Sequence, residues 1–278
     1  MSSLELTGTS LAAPPAGSPR LLRSVRRLGR GVSRSAILLV LAVLWEVLPR
    51  LGIADPTFLP SLSEVLASGW ELATSGQLQE HVIASLQRSL TGLGLAVLYA
   101  VPLGLVIGWH RRTHDALNPL IEVLRNTAPL ALLPLFILFL GIGEVSKVAL
   151  VVYSCSWPLL LNTVAGVRQV DPLLIKSART MGATPRQLFV KVILPAALPS
   201  IFVGVRLASA SSILVLIAAE MVGAKAGLGY LVTYAQYNFQ IPQMYFGILT
   251  ITVIGLTFNH SLALLERHLT GWQPGTRG

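Results

Sequence analysis

Apolar residues run along this chain in long blocks, separated by short basic or glycine- and proline-rich stretches, and do not alternate with polar ones. Six blocks are long enough to predict membrane-spanning helices, at about 36–52, 84–108, 119–140, 146–166, 194–222 and 244–265, since a span needs ~20 mostly apolar residues. The third and fourth hold Pro129, Pro134 and Pro158, which membrane helices tolerate because their neighbours re-satisfy the freed backbone groups. The fifth is rich in Ala, Ser and Gly; small residues allow close packing in lipid, so this helix is expected at the centre. The expected fold is therefore an all-α integral membrane protein of six helices.

The basic residues orient the spans. Arg20, Arg23, Arg26, Arg27, Arg30 and Arg34 precede the first block, and Arg111 and Arg112 follow the second. Arg168, Lys176, Arg179, Arg186 and Lys191 follow the fourth, and Arg267 and Arg277 follow the sixth. Residues 53–83 carry Asp55, Glu64, Glu71 and Glu80 and no Lys or Arg. Six spans with both termini in the cytoplasm satisfy all of these segments. Residues 1–35 read as a disordered cytoplasmic tail, residues 36–266 as the membrane domain and residues 267–278 as a second cytoplasmic tail. A cleaved leader fits less well, because the first block runs into Pro49, Arg50 and Gly52 with no small-residue cleavage site. Between the fifth and sixth blocks, Tyr230, Tyr234 and Tyr237 suit an interfacial or partly re-entrant helix, or an aromatic belt at the headgroups.

Composition narrows the function classes. Of 278 residues, 53% are hydrophobic and 12% charged, and mean hydropathy is +0.68; a soluble domain carries about twice that charged fraction. The net charge of +9 lies in loops, so it does not form the basic face of a nucleic-acid-binding domain. Cys155 is the one cysteine, and the five histidines are scattered. No metal, cofactor or catalytic constellation can be assembled from them.

The stretch 171–195, DPLLIKSARTMGATPRQLFVKVILP, is as long as a span but basic and interrupted. Asp171 before Pro172 forms an N-cap and first-position signal. Leu174, Ala178 and Met181 recur as one apolar stripe, off which Lys176 and Arg179 fall. Arg179 sits in the last turn, where a cation suits the helix dipole, and Gly182 is placed for a left-handed cap. Thr184, Pro185 and Gln187 have capping-box spacing and start a second helix. It continues through Leu188, Phe189 and Val192 to Leu194, and Pro195 and Pro199 are expected to bend the chain into the membrane. Such a pair of helices either lies on anionic lipid or seats its stripe in a groove of another protein.

KSARTMGATPRQLFVKVILPAALPSI resembles the EAA loop of permease subunits of bacterial ATP-binding-cassette importers, with Ala178, Gly182 and Val192-Ile193-Leu194-Pro195 at the family's positions. Lys176 and Ser177 stand where that loop begins, so a lysine replaces the family's acidic residue. The stretches VGVRLASASSILVLIAAEMVGAKAGLGYL and PLIEVLRNTAPLALLPLFILFLGIGEVSK resemble the subgroup importing aliphatic sulfonates, taurine, nitrate and related compounds; permeases for pyrimidine precursors look similar. The resemblance runs from about residue 35 to 272. It implies a type I importer (MetI-like) permease in the bacterial inner membrane, with a coupling loop at 168–195. Two permease copies, two cytoplasmic ATP-binding subunits and a periplasmic or lipid-anchored binding protein are the implied assembly. Consistent with this, the chain has no GxxxxGK[ST] phosphate loop. ATP is then bound and hydrolysed by the partner, and this subunit is not an enzyme.

Charges inside spans are costly and tend to face protein or water. Glu46 suits snorkelling or a structural hydrogen bond, and Glu122 and Arg125 a local pair. Arg206 and Glu220 lie fourteen residues apart on the fifth block, roughly 21 Å along a helix, too far to pair with each other. Glu220 is a candidate for the periplasmic gate. Arg206 is a candidate either to attract an anionic solute or to bridge two helices. Asn162, Ser154, Ser156 and Ser211 are candidates to line the pathway or to bond helix to helix. A secondary transporter would instead show paired broken spans in the two halves, and no such repeat is present.

Overall fold

The computed structural model describes residues 36–269, of which side chains are described to Glu266. The tails expected over 1–35 and 267–278 lie outside these bounds, except that the last helix runs to Leu269. The described structure divides into one unit ending at Leu62 and another beginning at Ser63.

In the first unit, α1 covers residues 36–50. Glu46 pairs with Arg50 one turn on, at 2.5 Å. Trp45 Nε1 donates to Pro60 O at 3.1 Å.

The second unit holds α2 (Leu62–Thr74), α3 (Gln77–Trp109), α4 (Arg111–Arg125), a 3-10 turn (Pro129–Leu132) and α5 (Leu133–Leu140). After these come α6 (Glu144–Arg168), α7 (Pro172–Thr180), α8 (Pro185–Leu188), a π-helical turn (Phe189–Ile193), α9 (Leu194–Glu220), α10 (Leu228–Tyr237) and α11 (Ile241–Leu269). Among the described residues, four helical stretches are long and apolar enough to cross a membrane: α3, α6, α8 through α9, and α11.

The third expected span, 119–140, is not one helix. α4 and the segment Pro129–Leu140 meet at 81°. Asn126 Nδ2 bonds back to Glu122 O at 2.8 Å, and Thr127 Oγ1 to Val123 O at 3.2 Å. Ala128 is extended (φ −62°, ψ 121°) because the ring of Pro129 disfavours a helical residue before it. Leu120, Ile121, Val123 and Leu124 at the end of α4 run on toward the wholly apolar α5, which hides the bend although α4 as a whole is amphipathic. Tyr153 on α6 donates to Leu124 O at 2.7 Å, a carbonyl that also accepts from Thr127 N at 3.2 Å.

α6 is the central helix, packed between α3 and α9. Glycine brings the backbones together. A Cβ on Gly104 of α3 would lie 2.8 Å from the Thr163 side chain of α6, and one on Gly204 of α9 would lie 3.0 Å from Pro158 O. Leu93, Ala96, Ala100, Val151, Cys155, Leu159, Ala208 and Leu216 form the buried core where the three helices meet. On α11, outward hydroxyls return to their own helix: Thr257 Oγ1 bonds Val253 O at 2.7 Å and Ser261 Oγ bonds Thr257 O at 2.8 Å. This is how a helix keeps hydroxyls satisfied where lipid offers no partner.

Candidate functional site

The expected coupling loop forms a compact hairpin of helices. Asp171 Oδ1 accepts from Leu173 N at 2.8 Å, capping α7, and Pro172 takes the first position. Gly182 has φ +78°, a left-handed residue that ends α7 without a Cβ penalty. The capping box is complete: Gln187 N donates to Thr184 Oγ1 at 3.3 Å, and Thr184 N donates to Gln187 Oε1 at 2.9 Å.

Two expectations in this segment change. The stripe of Leu174, Ala178 and Met181 divides. Ala178 is 5% exposed and packs with Val167, Val170, Leu188, Ile193 and Ala197. Leu173, Leu174 and Met181 are 67%, 51% and 80% exposed. α7 packs back on α8 and the π turn and turns Ala178 into the apolar cluster there, leaving its larger leucines outside. The entry into the membrane also differs. Pro195 and Pro199 both lie within α9, which begins at Leu194. The irregularity lies upstream, in the π turn, where Leu194 N bonds Phe189 O, five residues back. Pro195 has no N–H to continue an α pattern at that point, so the wider turn takes up the mismatch. Lys176, Ser177 and Arg179 are exposed on α7, as is Lys191 on the π turn. Trp109 at the end of α3 packs edge-on to Phe189, with centroids 5.4 Å apart.

About 40 Å along α9 from this loop, a second polar assembly lies at the helix's far end. Glu220 is its centre. Its carboxylate accepts from Ser85 Oγ at 2.8 and 2.9 Å, from Arg88 Nη1 at 2.7 Å and from Gly229 N at 3.0 Å. Arg88 also donates to Ala226 O at 2.7 Å, and it grips Glu144 through Nε and, at 2.7 Å, through Nη2. Lys147 Nζ donates to Gly143 O at 3.0 Å and reaches Gly223 O at 3.5 Å. Leu228 N donates to Ser85 Oγ at 2.8 Å, and Gly227 N to His81 Nδ1 at 3.2 Å. A Cβ on Gly227 would stand 2.4 Å from the Glu220 carboxyl carbon, and one on Gly229 would stand 2.2 Å from Ile217 O. The Gly-Leu-Gly sequence is therefore what lets the backbone close around the carboxylate. Tyr230 and Tyr234 of α10 pack beside His81, in centroid steps of 5.7 Å.

The other candidate pathway residues are spread along the central helices. Ser154 and Ser211 bond across α6 and α9 at 2.5 Å. Ser156 bonds Tyr99 of α3. Asn162 Nδ2 returns to Pro158 O at 2.8 Å within its own helix. Arg206 pairs with Glu266 of α11, the contact that the bridging alternative requires. Glu122 and Arg125 pair locally at 2.8 Å, as their spacing predicts.

The family described as binding-protein-dependent transport system inner membrane component matches residues 100–271. This chain belongs to that family.

It is a permease subunit of an ABC importer, a transport component whose family implies ATPase and binding-protein partners. The permease is 35% identical over 239 residues to a Bacillus subtilis protein named as the aliphatic sulfonates transport permease SsuC, covering 86% of this chain and 87% of that one. It is also 35% identical over 251 residues to the taurine transport system permease protein TauC of Escherichia coli, covering 88% and 91%. The fold matches a chain of the MetNI methionine ABC transporter with a TM-score of 0.62 at 18% identity, over 69% of this chain and 95% of that one.

Three members of the permease's charge cluster escape a reading of the sequence for intramembrane charges: Arg88, Glu144 and Lys147. Arg88 carried a usable signal, being the one charged residue of the second apolar block. Glu144 and Lys147 sit at a block edge, where charges are ordinary, and no spacing rule links positions 88, 144 and 220.

Proposed function

We propose that this permease imports a small organic anion of the aliphatic sulfonate or taurine class, as one of two identical copies flanking a central pathway. The similarity to permeases named for taurine and for aliphatic sulfonates, over more than four-fifths of this chain, carries the substrate class. In this reading six helices span the inner membrane and both termini are cytoplasmic. α1 and the bent α4–α5 pair complete the set, and the basic loops lie inside. Residues 36–266 are the permease domain, with cytoplasmic tails on either side. Solute arrives from an extracytoplasmic binding protein, and Asn162 and Ser211 lie near its path. Arg206 and Glu220 act as ties between helices.

The segment 168–195 is the coupling loop, and ATP is bound and hydrolysed by two separate subunits beneath it. The exposed Leu173, Leu174 and Met181 seat in a groove of the ATPase. Lys176, with Arg179 beside it, gives the rim of that contact a positive sign where an acidic start is the family pattern. Asp171, Gly182 and the turn through Leu194 and Pro195 keep the lever stiff, because both ends of α7 are capped.

The test is reconstitution of the full assembly in liposomes with its ATPase and binding protein. Taurine or a short alkanesulfonate is expected to raise ATP turnover and to accumulate inside; stimulation by neither would refute the substrate class. Gly182→Val is expected to insert normally and to lose most uptake, because its backbone is left-handed while the space around it is open. Wild-type uptake by that variant would refute the lever.

A further inference from the structure

The two acids that hold Arg88 are not equivalent. Glu220 is a fully enclosed carboxylate, bonded by Ser85, Arg88 and Gly229 N. Glu144 has a side chain 63% exposed and is held by Arg88 alone among the hydrogen bonds described. Glu144 is also the first residue of α6, directly after Gly141-Ile142-Gly143, in which Gly141 has φ +79°. That turn joins the short α5 to the central helix, and glycine there allows the chain to change direction at little steric cost. Beside the pair lies a cavity of about 360 Å³ lined by Ala84, Gln87, Arg88, Thr91, Glu144 and Val148, so the Glu144 carboxylate has room to swing.

Separation at either acid has different consequences. If Glu144 leaves, Arg88 keeps Glu220 and Ala226 O. Glu144 then faces water, with Lys147 three residues on along the same helix. If Glu220 were to leave, a carboxylate with no water around it would lose its cation, which is strongly unfavourable. One half of the cluster can open while the other stays shut.

We propose that Glu144 and Arg88 form a releasable clasp at the outer ends of α6 and α3, with Glu220 as its fixed anchor. Resting on the importer reading and its orientation, the clasp holds the start of α6 against the α3–α9–α10 block while the outer side is closed. It parts when that side opens. Glu144 is a positioning residue: it acts through Arg88 and touches no solute.

The experiment uses the complete assembly in liposomes, with ATP turnover measured with and without the binding protein. A wild type that is not stimulated counts against the importer reading, and the clasp falls with it. Given stimulation, Glu144→Gln is expected to assemble at wild-type yield and to raise binding-protein-independent turnover several-fold, shrinking the stimulation ratio. Glu144→Asp, which keeps the charge, is expected to stay near the wild-type ratio. An unchanged ratio in Glu144→Gln, or the same ratio in both variants, would overturn the clasp. Failure of Glu144→Gln to assemble would overturn it as well, because Glu144 would then be a structural anchor like Glu220.

Discussion

The two ends of α9 are built on opposite plans. The segment 171–195 is held by neighbours in sequence: Asp171 caps Leu173, Thr184 and Gln187 cap each other, and Gly182 turns the chain. The charge cluster at the far end is held by strangers in sequence. Arg88 lies 132 residues from Glu220 and 56 from Glu144, and only the packing of α3, α6 and α9 brings them together. A local device can be changed one residue at a time with graded effect. In a long-range ionic cluster the loss of an enclosed member such as Glu220 reaches every helix it ties, because it takes away a partner that no neighbour in sequence can replace.

This contrast can be broken from either side. The largest effect is expected from Glu220→Gln, which strips a buried guanidinium of its enclosed partner and costs on the order of 3–5 kcal/mol. The yield of monodisperse protein in detergent and its thermal midpoint would show it, and a variant as stable as wild type would mean that the cluster is not structural. Gly229→Ala comes next. Its Cβ would press on Ile217 O at 2.2 Å, an overpacking worth about 1–3 kcal/mol, visible as a lower midpoint and faster proteolysis near α10. The smallest loss belongs to Thr184→Ala, which removes one cap for about 1 kcal/mol. Its expected signature is faster amide exchange confined to α7 and α8, with a near-normal global midpoint. A global loss there would erase the distinction between the two ends.

How far the sequence could be read follows the same division. Asp171, Gly182 and the Thr184–Gln187 box each signal through spacings of two to four residues, and the structure has each feature where the spacing put it. The apolar blocks likewise marked α3, α6, α9 and α11. Hydropathy missed the 81° bend between α4 and the segment that follows, since only the end of α4 joins the apolar run and the turn depends on Pro129 acting on Ala128. The stripe of α7 was visible, but which of its members faces inward was not. Ala178 turns in because α7 folds back on α8 and the π turn, and Leu174 and Met181 remain outside. Glu220 and Arg206 were visible as charges whose partners could not be named.

From the chain alone came the membrane as solvent, the four long apolar helices, the sidedness expected from the basic loops and the capped helix pair between spans. Each depends on residue type or on neighbours within one turn, and such interactions exist before any folding brings distant segments together. Tertiary structure alone decided that Glu220 is an enclosed anchor, that Arg206 reaches α11 and that Glu144 is left half-free at the edge of the cluster. These follow from which helices lie side by side. In a medium with no water to satisfy a stray charge, that adjacency settles whether a charged side chain is buried, bridged or released.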